Sequence, residues 1–173
     1  MQLDWKQEME YSLDIETEKG QVTLMQEKQA YSIFEARFPE FSVLHTDKTK
    51  PEPFDGWIIR DGKITSIVET KCRVDVSYAE FLRRYRNIWL VTEAKLQMIS
   101  SYIQESSSLV PLYGFLFFPN SKVLLIKKII DRNGEITTRE LRKTNTQATV
   151  NGGIAYRLNA FIPMKDAMIL KGI

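Results

Sequence analysis

Cysteine and histidine are almost missing from this chain: its 173 residues contain one of each, Cys72 and His45. A lone cysteine excludes an internal disulfide, and one cysteine with one histidine cannot assemble a Cys/His zinc site. Catalytic arrangements of the Ser-His-Asp or Cys-His kind would all have to pass through His45, and no serine carries the glycines of a nucleophile elbow. Glycine is scarce too, eight in all, and none belongs to a phosphate-binding loop; Gly152-Gly153 reads as a turn. No apolar run approaches the ~18–20 residues that a membrane-spanning helix needs, so no membrane partner is expected. The amino-terminal stretch, MQLDWKQEMEYSLDIETEKG, is acidic and has no basic region followed by an apolar one, so it does not read as a signal peptide. The cytoplasm, a reducing compartment, is the expected location. Neither sign of charge dominates: 24 Lys+Arg stand against 22 Asp+Glu, a net charge of +2 that is too mild to identify a polyanionic partner.

What is present is ordinary in amount and uneven in placement. Hydrophobic residues make up 43% and charged residues 27% of the chain, which suits one domain, 1–173, with a sizeable core. Residues 1–20 hold six acids against Lys6 and Lys19, whereas residues 71–95 hold six bases against Asp75, Glu80 and Glu93. One basic face would account for this, as would a solvated charged surface. Residues 22–38 put Leu24, Ala30, Ile33, Phe34 and Phe38 at a helical period closed by Pro39. FSVLH (41–45) reads as a short strand, and TDKTKPEP (46–53) as a polar loop. A hairpin follows, about 55–60 and 63–72. Residues 76–91 are irregular, a short helix or loop. A helix from Thr92 to about Gln104 carries the stripe Leu96, Ile99, Ile103, with Thr92 as its cap. Strands are expected at 110–118, 122–130, 135–143 and 153–163. The fold class is therefore α/β (α+β): a central mixed sheet flanked by helices, order αβββαββ over about 22–130, with a β-rich extension over 131–173.

The hairpin FDGWIIRDGKITSIVETKCR (54–73) spends interior positions on charge. Strand side chains alternate faces, so Glu69 and Lys71 point the same way. A two-residue loop at Asp61-Gly62 pairs Arg60 with Lys63, hence Asp55 with Val68, and sends Asp55 to the face opposite Glu69. A three-residue loop with Gly62 as a left-handed bulge residue pairs Ile59 with Lys63 and sets Asp55 opposite Ile67, on Glu69's side. Asp-Gly suits both turns. A functional hairpin predicts that Asp55, Glu69 and Lys71 share one face and therefore that the second arrangement holds. Two converging carboxylates then ask for a cation, and hard oxygen ligands suit Mg²⁺ or Mn²⁺. The bland alternative is a solvated Glu/Lys ladder on a surface strand.

Asp55 in PEPFDGWII, with Glu69 and Lys71 in VETKC, resembles the active-site signature of the PD-(D/E)xK nuclease superfamily, and the element order over about 22–130 resembles its restriction-endonuclease-like core. One departure is that Phe54 precedes Asp55, the proline standing one place earlier at Pro53. The resemblance implies a metal-dependent deoxyribonuclease that hydrolyses DNA phosphodiesters with a metal-activated water, as stand-alone nucleases of phage and mobile elements do in prokaryotic cells. It implies Mg²⁺ (or Mn²⁺) held by Asp55, Glu69 and the backbone carbonyl of Thr70, with Lys71 as the catalytic lysine. An acid from the first helix often joins them; Glu27 is the choice here, ahead of Glu35 and Glu40. It also implies a basic or amide residue early in the second helix near the scissile strand, here Lys95 before Gln97; a pairing of Lys95 with a neighbouring glutamate is the alternative. Many members are homodimers, so a homodimer is a further expectation. Beside that resemblance, FLRRYRN sets Arg83, Arg84 and Arg86 among Phe81 and Tyr85, guanidiniums for phosphates and rings for bases, and Arg73 leaves the Glu69 strand on the same face as a phosphate contact. A non-catalytic nucleic-acid-binding protein on the same fold is the competing expectation.

Overall fold

The computed structural model describes residues 18–47, 53–107, 109–148 and 154–172. The acidic segment read at 1–20 falls almost wholly outside them, as do most of the 46–53 loop and the turn at Gly152-Gly153. The helical period of residues 22–38 becomes α1 (Glu18–Arg37), which stops short of Pro39 because the residue before proline avoids helical backbone. A meander follows: β1 (Phe41–His45), β2 (Gly56–Arg60) and β3 (Lys63–Cys72), each antiparallel to the next.

The segment expected to be irregular is instead α2 (Tyr78–Arg84) and β4 (Ile88–Thr92). Ser77 caps α2 by accepting from the Glu80 N–H. Arg86 and Asn87 turn the chain from α2 into β4 with φ of 54° and 58°, left-handed values that no glycine marks in the sequence. The helix read from Thr92 is α3 (Glu93–Glu105); Thr92 occupies the cap position with no side-chain cap bond, which corrects the capping role expected of it. The first residue of α3 is held otherwise: the buried Glu93 carboxylate accepts twice from Arg139 Nε, at 2.6 and 2.9 Å.

β5 (Leu112–Phe118) returns beside β3 in parallel, and β6 (Val123–Ile130) and β9 (Met168–Lys171) complete a six-stranded mixed sheet of order β1-β2-β3-β5-β6-β9. β7 (Glu140–Ala148) and β8 (Ile154–Pro163) join β4 in a second sheet, β4-β8-β7. The strand expected at 135–143 thus lies further along, with only an isolated Ile136–Ile130 bridge before it. Among the described residues the fold is α+β with three helices, and the expected αβββαββ order is lengthened by β4 and α2 in the crossover and by β9 at the end.

Two apolar layers flank the large sheet. On one face Ala30, Tyr31 and Phe34 of α1 pack on Val68, Phe115, Phe117 and Leu124. On the other, Leu96, Ile99 and Ile103 of α3, with Trp89, Ala160 and Ile162 of the second sheet, cover Ile67, Leu112, Leu116 and Leu125. The alternation of Ile67 and Val68 between these layers shows that β3 is interior, buried on both sides as a strand flanked by β2 and β5 must be. No described helix is long and apolar enough to cross a membrane.

Candidate active site

The hairpin closes with the tight turn. Asp61 and Gly62 have φ of 51° and 75°, and Arg60 pairs with Lys63, the two-residue loop that favours Asp-Gly. The expected three-residue glycine bulge is therefore not formed. The register shifts further along instead: Ile59 pairs with Ile64 but Ile58 with Ser66, leaving Thr65 as an extra residue in β3. Its hydroxyl donates to the Ile58 carbonyl at 3.1 Å. Beyond the bulge Gly56 pairs with Val68, and one further step sets Asp55 opposite Glu69. The register that sets Asp55 on Glu69's side comes from a bulge at Thr65 rather than at Gly62. Packing explains the choice: without the extra residue Ile58 and Val68, which share the α1 layer, would face opposite ways.

Asp55 lies just before β2, and its carboxylate Oδ2 accepts the Thr70 N–H at 2.8 Å. Odd residues of β3 bond toward β5, as Ile67 N–H does to Pro111 and Arg73 N–H to Phe117. Even residues bond the other way, so the Thr70 carbonyl is directed at the edge where β2 has not yet begun and Asp55 stands. The Thr70 side chain turns to α1, where its hydroxyl meets that of Tyr31 at 2.8 Å. Glu69 projects to the opposite layer and receives a hydrogen bond from Lys95 Nζ, in the first turn of α3. The glutamate paired with Lys95 is thus one distant in sequence, on β3 of the sheet that α3 covers, not a neighbour on its helix.

Glu27 reaches the cluster from α1, 7% exposed, with its Oε2 3.8 Å from His45 Nδ1. Burial opposes charge on Lys95, but the carboxylates of Glu69, Asp55 and Glu27 outweigh it and hold the ammonium above its ordinary pKa. The same three acids, added to burial, raise the Tyr31 hydroxyl. Glu35, half-buried on α1, is not among the groups that act on Lys95 or Tyr31, which favours Glu27 as the helix acid. Tyr31 and His45, whose rings lie 4.7 Å apart, belong to the site's wall and are absent from the sequence expectation. The signal was available for Tyr31, since i and i+4 share a helix face with Glu27.

Lys71 follows Glu69 on the same side of β3 and is exposed. Arg73 lies about 13 Å along from Glu69 at ~3.3 Å per residue. Its Nε is 3.7 Å from Asp75, and its guanidinium stands 5.2 Å from the Tyr85 ring centroid. Arg84 stands over the same ring at 5.6 Å, with Arg83 and Arg86 exposed beside it. The structure therefore places Glu27, Asp55, Glu69, Thr70 and Lys95 near one another and sets Arg73 and Arg84 against the Tyr85 ring, with Arg83 and Arg86 exposed.

Among the described residues no group of three or more His, Cys, Asp or Glu side chains forms a ready metal cage. The donors present at the hairpin are two carboxylates and a carbonyl, a set suited to Mg²⁺, which keeps waters and takes only one or two carboxylates. Cys72 has no part in it. Burial, with Glu27 and Asp55 adding to it, pushes its thiol up to about 12. A thiol raised from 9 keeps about 10³-fold less thiolate. Iodoacetamide at pH 8 should therefore label native Cys72 orders of magnitude more slowly than the urea-unfolded chain. The stability this protonated thiol contributes is full below pH 9 and is lost as pH rises toward 12. Comparable labelling rates in the two states would show that Cys72 is open.

No protein-family model matches the chain, and neither a curated protein nor a solved structure matches it significantly.

Proposed function

We propose that this chain is a divalent-metal-dependent nuclease that hydrolyses DNA phosphodiester bonds, built on a restriction-endonuclease-like core. The observation that carries the reading is the Lys95–Glu69 hydrogen bond on β3 beside the Asp55 carboxylate bonded to the Thr70 N–H, with Asp55 and Glu27 acting on the same ammonium from further off. Carboxylates drawn together in a half-buried place cost folding energy unless they serve a cation. The donor set fits: Asp55, Glu69 and the Thr70 carbonyl would hold Mg²⁺ or Mn²⁺. When bound, the cation supplies Lewis acidity toward a phosphoryl oxygen and the means to ionise water near neutral pH. Lys95 neutralises Glu69 through its hydrogen bond to that carboxylate. Lys71, exposed on the same side of β3, offers an ammonium to the phosphate, and Arg73 offers a guanidinium further along the strand.

The Lys95–Glu69 pair also favours a second reading, a nucleic-acid-binding protein without catalysis, because a neutralised Glu69 asks for no metal. A cleavage panel of single-stranded, duplex, nicked and four-way-junction DNA separates the two. The nuclease reading expects cleavage of at least one substrate with Mg²⁺ or Mn²⁺, none with EDTA, and a rate lower by roughly 10²-fold or more in Lys71→Ala. Salt-sensitive binding with no cleavage of any substrate in either metal would leave the second reading standing.

A further inference from the structure

The carboxyl-terminal hairpin extends further than its sheet. β4 pairs only with residues 159–163 of β8, whereas β7 accompanies β8 outward to the Ala148–Ile154 pair. Among the described residues, β8 beyond Asn159 therefore has β7 as its one strand neighbour. The free part is a two-stranded ribbon about 17 Å long at ~3.4 Å per residue. One of its faces continues the buried row of Ala160 and Ile162 but leaves the core. Leu158 and Tyr156 on that face are 40% and 69% exposed, and Leu141, opposite Ala160, is 44% exposed.

Its charge is mainly positive. Between residues 140 and 163 stand Arg142, Lys143 and Arg157 against one acid, Glu140, at the root of β7, whose Oε1 lies 3.2 Å from Arg142 Nε in an exposed pair. The pairing Lys143–Leu158 puts Lys143 on the face of Tyr156, while Arg142–Asn159 and Thr144–Arg157 put both arginines on the other. A ribbon basic on both faces is poor material for the core of a protein interface, which is depleted in lysine. It suits a groove with a phosphate wall on each side. The B-form major groove, about 12 Å wide, admits a two-stranded ribbon, whereas the A-form groove of duplex RNA is too narrow and deep.

The root of the ribbon is stiff and leads across the second sheet to the start of α3. Arg142 stacks over the Phe161 ring at 4.0 Å, and Asn159 Nδ2 donates to Thr144 Oγ1 at 2.6 Å. The row Arg142–Asn159–Thr92 crosses three strands, which puts Arg142 about 10 Å from Thr92 at ~4.8 Å per strand. Thr92 directly precedes α3, whose first turn carries Lys95.

We infer that the β7–β8 ribbon is an arm that lies in the major groove of duplex DNA beside the bond to be cut. The choice of DNA as partner rests on the nuclease reading. The test measures binding, without catalysis: anisotropy of a short labelled duplex with the full chain in EDTA, over a salt series. Arg142→Gln/Lys143→Gln, at two exposed positions, should weaken duplex DNA binding roughly tenfold at low salt and make the log–log salt slope shallower by about 2, near 0.9 for each phosphate no longer neutralised. Duplex RNA of the same sequence should bind weakly to both proteins. Unchanged affinity and slope would overturn the arm, as would equal binding of duplex RNA. A variant that sediments as a smaller species with DNA affinity intact would overturn it too, making the ribbon a contact between copies. Arm-dependent binding with no cleavage would sink the nuclease reading alone; cleavage with arm-independent binding would sink the arm alone.

Discussion

On the nuclease reading, Glu69→Gln lowers Mg²⁺-dependent DNA cleavage by about 10³-fold or more, which corresponds to about 4 kcal/mol of transition-state stabilisation. Glutamine keeps the length and packing of the side chain and removes one of the two carboxylates at the hairpin. Lys95 loses the partner that accepts its hydrogen bond and keeps only the more distant influence of Asp55 and Glu27. Its ammonium should then fall back toward its ordinary pKa, readable by NMR of the labelled lysine. Circular dichroism should be unchanged, because Glu69 is half-buried at the layer's margin while its neighbours Ile67 and Val68 carry the packing. Glu35→Gln, outside the group that acts on Lys95, is the control expected to cleave normally. A Glu69→Gln protein retaining more than about a tenth of the wild-type rate would remove Glu69 from the chemistry.

Gly114→Val destabilises the fold by about 3 kcal/mol or more, although valine is among the best strand residues and glycine among the worst. Gly114 sits in β5 directly opposite Glu69. A Cβ there would lie 2.2 Å from Cζ3 of Trp89 and 2.8 Å from Cγ1 of Ile129. Trp89 is 5% exposed and anchors β4 against the large sheet, so its ring has nowhere to go. The missing side chain of Gly114 is the room in which the second sheet docks. At about 2–4 °C per kcal/mol for a chain of this size, the thermal midpoint should drop by roughly 6–12 °C. Because β4 leads into α3, the displaced tryptophan should also loosen Lys95 from Glu69. A midpoint equal to or above that of the wild type would show that Trp89 can move aside.

Much of the local structure was legible. The period of residues 22–38, the stripe Leu96, Ile99, Ile103 and the apolar runs at 110–118 and 122–130 all become the expected elements, because each pattern reflects one element's own geometry. β4 escaped because IWLVT is five residues long and follows a turn built on Arg86 and Asn87 rather than glycine. Its sheet partner lies about seventy residues away in β8, and only burial of Trp89 against Ile162 and the large sheet selects a strand there.

The candidate site divides along the same line. Residue types and alternation put Glu69 and Lys71 on one side of a strand and singled out Asp55, while the family resemblance nominated Glu27 and Lys95. The Asp-Gly pair suits the tight turn that forms as well as the glycine bulge that does not, so it left the turn open. The tight turn by itself would have set Asp55 against Val68, on the wrong side. The correction comes from Thr65, and nothing local marks it: the extra residue is there because Ile58 must join the α1 layer while Ile67 joins the α3 layer. Likewise Lys95 finds Glu69 across twenty-six residues only because Leu96 and Ile99 press α3 onto the sheet. The sequence by itself settled which side chains were available and how each strand alternates, both local properties. Register, and with it the placing of Asp55 beside Glu69, was decided by which faces the two layers bury, and that exists only once the chain has packed.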